Sequence, residues 1–126
     1  MRILIIDDDI SIVNMLTEML RVKHAVHGTT SADFAIELLK HNEYDVVLVD
    51  YNMPDHDGTW FMKNAHLPRK TVALLLTGDM HKSMLVQMFK LGISGYLTKP
   101  VSIDEVQQNI EFYSHSGQYA SYSATA

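Results

Sequence analysis

The sequence predicts an α/β domain with an open, five-stranded parallel sheet between two layers of helices. Three short runs of aliphatic and β-branched residues, at 3–6, 46–49 and 72–76, have strand length and show no polar alternation. Such runs are typical of strands that are buried on both faces. Stretches with helical spacing separate them. Strands that alternate with helices in this way favour a three-layer parallel sheet with right-handed crossovers.

The first half of the chain gives four of these elements in order. The strand at 3–6 precedes a helix whose apolar residues recur at helical spacing and predict its core-facing side: Ile12, Met15, Leu16 and Met19. A second strand is expected at 25–28, and we place it at an edge of the sheet because His24 and His27 interrupt its apolar residues. The next helix repeats the helical spacing: Ala32, Ala35, Ile36 and Leu39. The capping-box match TSAD at 30–33 predicts where that helix begins.

The second half continues the alternation with strands at 46–49 and 72–76 and a weaker strand around Tyr96 and Leu97. Three methionines at four-residue spacing predict a helix after the fourth strand and are expected in the core: Met80, Met84 and Met88. The last helix starts at a second capping-box match, SIDE at 102–105, and carries three apolar residues at helical spacing: Ile103, Val106 and Ile110. Residues 114–126 are small and polar, which predicts a domain over 1–113 followed by a flexible tail or the start of a linker.

Length and composition restrict the function classes. A chain of 126 residues with 47% hydrophobic content is enough for one domain with its own core. The formal net charge of −5, with ten scattered basic residues, argues against direct nucleic-acid binding by this segment. Without cysteine the chain can form neither disulfides nor a thiolate metal site. The first apolar run is too short for a signal peptide or a membrane span, so we expect a cytoplasmic protein without membrane contact.

Side chains with useful chemistry follow the predicted strands at their carboxyl ends: Asp7, Asp8, Asp9, Asp50, Thr77 and Lys99. These ends meet at one edge of a parallel sheet, where ligands bind. Carboxylates that converge there repel one another unless a cation lies among them. Oxygen ligands favour a hard ion, and Mg²⁺ fits because it needs few carboxylates and leaves positions open for phosphate oxygens. Asp9 is most simply the N-cap of the first helix.

The same residues suit phosphoryl transfer. Asp50 ends the central strand, so it is a rigidly placed carboxylate that could attack phosphorus and form an acyl phosphate. Such a transfer otherwise needs positioning and charge neutralisation, which Lys99 and Mg²⁺ would supply. A compact ammonium can pair with a carboxylate in one state and with a phosphoryl oxygen in the other. The Thr77 hydroxyl could donate to a further phosphoryl oxygen.

Four segments, in this order and spacing, resemble the receiver domains of two-component response regulators over about residues 1–113: ILIIDDD, DVVLVDYNMPDHDG, LLLTG and GYLTKP. The resemblance implies the flavodoxin-like strand order 2-1-3-4-5 of chemotaxis-type single-domain receivers. It implies a domain that catalyses only its own phosphorylation and dephosphorylation, with Mg²⁺ as cofactor. A sensor histidine kinase or histidine phosphotransfer protein would supply the phosphoryl group, and an output domain or protein would respond. A phosphorylation-dependent homodimer is a further family expectation.

Position by position, the resemblance makes Asp50 the phosphoacceptor and Asp8 the direct Mg²⁺ ligand. Asp50 would also coordinate the ion, Asn52 would offer its backbone carbonyl, and Asp7 would act behind Asp8 without direct coordination.

The resemblance also assigns the phosphate-binding and switch positions. Thr77 would be the switch hydroxyl, with Gly78 beside it, and Lys99 the phosphate partner, joined to Pro100 by a cis peptide bond. Tyr96 would move inward when Thr77 turns toward the phosphoryl group.

The sequence departs from the family pattern at two places and leaves three alternatives open. The stretch 55–57, DHD, is more polar than usual, and Asp9 adds a carboxylate. A haloacid-dehalogenase-type phosphatase would need an aspartate where Asn52 stands, because the amide cannot shuttle a proton. A flavin-binding module would need small, uncharged residues after the first strand, where aspartates would repel a phosphate. The third alternative is a scaffold that works without phosphorylation.

Overall fold

Five parallel strands form the sheet at the centre of the molecule. The computed structural model describes residues 1–78 and 81–113. The strands, in chain order, are β1 Arg2–Ile6, β2 Ala25–Thr29, β3 Val46–Asp50, β4 Val72–Thr77 and β5 Gly95–Thr98. Their spatial order is β2-β1-β3-β4-β5, and every neighbouring pair is parallel. The predicted fold class and strand order are confirmed.

Helices cover both faces of this sheet. They are α1 Ile10–Leu20, α2 Ala32–His41, α3 Gly58–Ala65, α4 Lys82–Lys90 and α5 at residues 103–113. One core cluster contains the buried residues of α2, α3 and α4, and the other those of α1 and α5. Side chains of β1, β3 and β4 alternate between the two clusters, with Leu4 and Ile6 of β1 in the first and Ile3 and Ile5 in the second. This alternation produces the three layers.

Strand position explains the different polarity of the strands. All five residues of β3 are buried, because β3 is the middle strand and both of its faces are covered. β2 pairs only with β1 and is mostly exposed, so the prediction of an edge strand is confirmed. Its Gly28 lies so near α1 that a Cβ atom there would be 2.5 Å from Cγ1 of Val13.

The predicted core-facing residues of α1 are confirmed at Leu16 and at the half-buried Ile12, but are wrong at Met15 and Met19. Val13, Leu16 and Leu20 are buried, whereas Met15 is 39% and Met19 48% exposed. The helix carries apolar residues on more than one side, so spacing alone could not select the side that meets the sheet. The other predicted core residues are buried or half-buried against the core: Ala32, Ala35, Ile36, Leu39, Met84, Met88, Ile103, Val106 and Ile110. Met80 lies outside the described residues.

Helix starts follow from side-chain caps. Asp9 is the N-cap of α1 and accepts a hydrogen bond from the Ser11 amide at 2.9 Å, as the sequence predicted. α2 begins one residue later than the TSAD motif suggests, since Ser31 rather than Thr30 is its N-cap. Ser102 accepts from the Glu105 amide at 3.1 Å, which confirms the predicted start of the last helix.

The sequence also predicted a tail after the domain and the absence of a membrane span. The predicted tail or linker at 114–126 lies outside the described residues. Within 1–78 and 81–113, every helix is too short or too polar to cross a bilayer.

Candidate functional site

Three aspartates meet at the carboxyl edge of the sheet. β1 and β3 are neighbours, so Asp7, which follows β1, comes beside Asp50, the last residue of β3. Asp7 is fully buried, Asp50 is 3% exposed, and Asp8 faces solvent. One carboxylate oxygen of each lies within 4.8 Å of the others. The structure thus brings together the acidic residues that the sequence predicted at this edge.

Lys99 supplies a positive charge inside this acidic cluster. It follows β5, and its Nζ lies 2.9 Å from Oδ2 of Asp7 and 3.3 Å from Oδ1 of Asp50. The side chain is only 21% exposed, so water screens these ion pairs weakly. The backbone is fixed as well, because the Lys99 amide donates to the Thr77 carbonyl at 2.8 Å and the Lys99–Pro100 peptide bond is cis, as predicted.

Backbone amides hold the acidic side chains in place. The Asp9 amide donates to Oδ1 of Asp7 at 2.9 Å, and the Asp7 amide donates to the Thr29 carbonyl at 3.2 Å. The Asn52 amide makes a long contact, 3.4 Å, with Oδ1 of Asp50. The loop after β1 is therefore attached to the end of β2, and backbone amides hold the carboxylates of Asp7 and Asp50.

The cluster contains more carboxyl groups than cations, and this shifts the pKa values of Asp50 and Lys99. Burial, a hydrogen bond that the protonated Asp50 carboxyl donates to Asp8, and the charge of Asp7 raise the pKa of Asp50 from 3.8 to about 7, although Lys99 opposes the change. Burial alone would lower the pKa of Lys99, but Asp7 and Asp50 outweigh it and raise that pKa above its ordinary value. Three carboxyl groups thus share one ammonium, and an additional cation would relieve their repulsion.

The donor set fits a divalent cation with oxygen ligands. Oδ2 of Asp7 is buried and, apart from its ion pair with Lys99, accepts no hydrogen bond from the described residues. Asp8 is solvent-facing, so an ion between it and Asp50 could keep water ligands. Mg²⁺ prefers such a set of carboxylates and waters. The cluster of Asp7, Asp8 and Asp50 could hold this ion.

The remaining predicted residues lie at and beyond this edge. Thr77 is buried at the end of β4, between Asp50 on β3 and the β5 end that leads to Lys99. Gly78 follows it at the surface, and a Cβ atom there would meet Cβ of Lys99 at an ordinary 3.8 Å. Tyr96 lies outside the acidic cluster: it is exposed on β5, where its ring packs edge-to-face against Phe89 of α4 at a centroid distance of 6.4 Å.

One set of contacts near the site was not predicted. Oδ2 of Asp55, in the loop between β3 and α3, accepts from Oγ of Ser31 and from the amides of Ala32 and Asp33, at the start of α2. The next residue, His56, lies 3.3 Å from a carboxylate oxygen of Asp33. The sequence signal was the DHD stretch itself, but nothing local indicated that its first aspartate contacts a helix 23 residues earlier.

Comparisons with known proteins agree with this geometry. The family model described as the response regulator receiver domain matches residues 3–111. The chain is 33% identical over 110 residues to the two-component response regulator ARR10 of Arabidopsis thaliana, covering 85% of this chain and 20% of that protein. It is also 33% identical over 108 residues to the cell cycle response regulator CtrA of Brucella ovis, covering 84% of this chain and 47% of the relative. The chain thus spans from a fifth to about half of these relatives.

A solved structure shows the same fold. The CheY-like response regulator receiver domain protein of Methanospirillum hungatei superposes with a TM-score of 0.88 at 24% identity, covering 94% of this chain and 97% of that one. Family match, relatives and fold thus agree over nearly all described residues. The chain belongs to the response regulator receiver domains of two-component systems, a signalling family rather than a class of enzymes with a separate substrate.

Proposed function

We propose that Asp50 accepts a phosphoryl group from a phosphohistidine donor, with Mg²⁺ bound among the acidic residues, and that the domain then changes conformation to control an output. The observation that carries this proposal is the position of the Asp50 carboxylate, buried at the end of the central strand within ion-pair distance of Lys99. A carboxylate held on a rigid strand is a suitable nucleophile. Its neighbours can neutralise the charge of an incoming phosphoryl group.

The transfer follows from the positions of these groups. An oxygen of the Asp50 carboxylate attacks phosphorus, the phosphorus–nitrogen bond of the donor breaks, and its electron pair returns to the imidazole. The product is an acyl phosphate on Asp50, which water later hydrolyses to carboxylate and inorganic phosphate. The domain would thus catalyse its own phosphorylation and dephosphorylation without releasing another product.

Each neighbouring side chain has a distinct task in this proposal. Asp8 and Asp50, with the backbone carbonyl of Asn52, would hold Mg²⁺, and Asp7 would orient its water. Mg²⁺, when bound, supplies positive charge for the phosphoryl oxygens. The Lys99 ammonium contacts Asp50 at 3.3 Å. Once Asp50 is phosphorylated, this ammonium would instead pair with a phosphoryl oxygen.

The switch would begin at the same edge. Thr77 would donate its hydroxyl to a phosphoryl oxygen, beside the amide of Gly78. Tyr96 would then turn inward from its exposed position on β5. A sensor histidine kinase or histidine phosphotransfer protein as donor, an output domain or protein as receiver of the signal, and a cytoplasmic location all belong to this proposal. So does a phosphorylation-dependent homodimer.

Intact-mass spectrometry after incubation with acetyl phosphate tests the proposal. The wild type should gain a single phosphoryl adduct, and the adduct should require both Mg²⁺ and Asp50. Asp50→Asn preserves side-chain size and is the matched variant, while Asp57→Asn removes a nearby charge without touching the cluster. No adduct on correctly folded wild-type protein would favour the scaffold alternative. Multiple turnover of a phosphate ester, lost in Asp50→Asn, would instead favour the phosphatase.

A further inference from the structure

The loop between β3 and α3 carries the proposed metal ligand Asn52, and its geometry therefore matters to the site. Its first residue is attached to the sheet, because the Tyr51 amide donates to the Leu76 carbonyl of β4 at 3.1 Å. The two ends of the loop are joined to each other, because the Gly58 amide donates to the Tyr51 carbonyl at 2.7 Å. Met53 is buried in the core. The segment beyond Met53 is exposed apart from the half-buried His56, so its position depends on polar contacts.

Asp55 provides the main polar contact of that exposed segment. A single oxygen, Oδ2, lies 3.0 Å from the Ala32 amide, 3.3 Å from the Asp33 amide and 3.3 Å from Oγ of Ser31. The first amides of a helix have no partner within the helix, and a negative charge there is stabilised by the helix dipole. Burial would raise the pKa of the Asp55 carboxyl, but the backbone amides of His56, Asp33, Asp55 and Ala32 together hold it below its ordinary value.

Each of the first three amides of α2 has a side-chain acceptor, either Ser31 or Asp55. Ser31, the helix's own N-cap, accepts from the third amide, that of Phe34, at 3.2 Å. The first two amides, of Ala32 and Asp33, are left to Asp55, which is more than 20 residues away in sequence. Asp55 thus acts as a distant N-terminal cap of α2, a role that a local residue has in most helices. This capping attaches the loop to the helix.

His56 adds a second contact on the same side. Its ring stacks on Trp60 of α3 at a centroid distance of 3.5 Å and an interplanar angle of 8°. Its Nε2 lies 3.3 Å from Oδ1 of Asp33. Two consecutive loop residues, Asp55 and His56, therefore contact the first turn of α2. The loop and the helix should move as one unit.

The start of α2 is in turn connected to the acidic cluster. The Ser31 amide donates to Oγ1 of Thr29 at 3.1 Å, and the Thr29 carbonyl accepts from the Asp7 amide at 3.2 Å. A continuous set of contacts thus joins the loop after β1, the start of α2 and the loop that carries Asn52. Asp55, with three of the contacts, and His56, with one, link the loop to α2.

We propose that Asp55 is a positioning residue of the metal site, which fixes the Asn52 loop for cation binding by holding the first amides of α2. The inference rests on the proposed function, because it concerns the ion that the phosphoryl transfer requires. Residues that orient metal ligands typically contribute a factor of 10–100 to metal affinity. Since Asp55 acts through the backbone of a loop, we expect the low end, about 10-fold.

The test is a Mg²⁺ titration of the 126-residue chain followed by the NMR signals of its backbone amides. Asp55→Ala removes the acceptor and should weaken Mg²⁺ binding about 10-fold. Asp55→Asn keeps one acceptor oxygen and should recover most of the affinity. Asp57→Asn is the charge-matched control, because Asp57 caps α3 through the Trp60 amide at 2.9 Å and asparagine caps as well as aspartate. It should change the affinity less than about threefold.

Three outcomes separate the inference from the proposed function. If the wild type binds no Mg²⁺, the metal part of the proposed function fails. If the wild type binds but Asp55→Ala binds equally well, or no worse than Asp57→Asn, only the positioning role is overturned. Should Asp55→Ala not fold, amide exchange on the wild type decides. Because coupling is reciprocal, saturating Mg²⁺ should slow exchange of the Ala32 and Asp33 amides by up to the same factor, and unchanged exchange would overturn the inference.

Discussion

Asp50 is a carboxylate whose surroundings disfavour its charge despite a nearby lysine. Burial and two neighbouring aspartates raise its pKa to about 7, more than the ion pair with Lys99 can lower it. Unfolded, the group titrates near 3.8. Because the folded pKa is the higher one, ionisation of Asp50 costs stability, and that cost appears as the pH rises from about 4 and is complete above about 7.

Removing the charge of Asp50 should therefore stabilise the fold at high pH. Without Mg²⁺, Asp50→Asn should raise the free energy of unfolding at pH 8 by about 2 kcal/mol, since the amide carries no charge. The gain should shrink toward zero at pH 4.5, where Asp50 of the folded wild type is protonated. Urea unfolding at both pH values in EDTA measures it. The prediction would be contradicted if the variant were no more stable than the wild type at pH 8, or if it gained the same free energy of unfolding at both pH values.

Lys99 is the opposite case, a cation whose removal leaves two buried carboxylates unpaired. Lys99→Met keeps the apolar stem and should lower the free energy of unfolding by about 3 kcal/mol in EDTA. Mg²⁺ should restore more stability to this variant than to the wild type, because the ion replaces the missing charge. Lys70→Met is the control: Lys70 and Glu43 are 63% and 76% exposed, so losing that pair should cost less than about 1 kcal/mol. Equal losses in the two variants would disprove the role given to burial.

At the scale of elements, α1 and β2 meet more closely than the sequence could show. A Cβ atom on Gly28 would lie 2.5 Å from Cγ1 of Val13, whose β-branched side chain has little freedom to turn away. Gly28→Ala should therefore lower the free energy of unfolding by about 2 kcal/mol.

Val13→Ala makes room for the added methyl group and completes a double-mutant cycle. By itself it should destabilise the protein, because Val13 is buried. Together the two changes should cost clearly less than the sum of the single losses. Thermal unfolding of the four proteins measures the coupling, and strictly additive losses would show that the contact is not tight.

Sequence patterns predicted the buried strands and the acidic edge, but not the buried side of α1 or the contacts of Asp55. β1, β3 and β4 were predictable because strands buried on both faces are uniformly apolar, and the acidic edge followed because parallel strands end together. The buried side of α1 was not, since Met15, Met19 and Val13 are all apolar and only tertiary packing selects among them. Asp55 was missed for a different reason: a side chain that caps a helix 23 residues earlier leaves no local pattern.

At the scale of the whole molecule, the acidic edge and the surface around β5 are connected through the sheet. Thr77 pairs with Thr98, and Tyr96, two residues earlier on β5, packs against Phe89 of α4. Thr77 is buried beside the acidic cluster, whereas Tyr96 and Phe89 are exposed. If Thr77 moves toward a phosphoryl group as proposed, β5 joins it to the exposed pair of Tyr96 and Phe89.

Thr77→Ala should separate phosphorylation from this transmission. Asp50, Asp8 and Lys99 remain in place, so acetyl phosphate should still give a single adduct by intact mass. The phosphorylation-dependent changes in the NMR signals of Tyr96 and Phe89 should fall to less than about half, because a two-state switch loses population when its favoured state loses a hydrogen bond of about 1–2 kcal/mol. Thr98→Ala, the exposed pairing partner, is the control and should keep the full response. A full response in Thr77→Ala would mean that the signal reaches Tyr96 by another route, and the loop held by Asp55 would then be the next candidate.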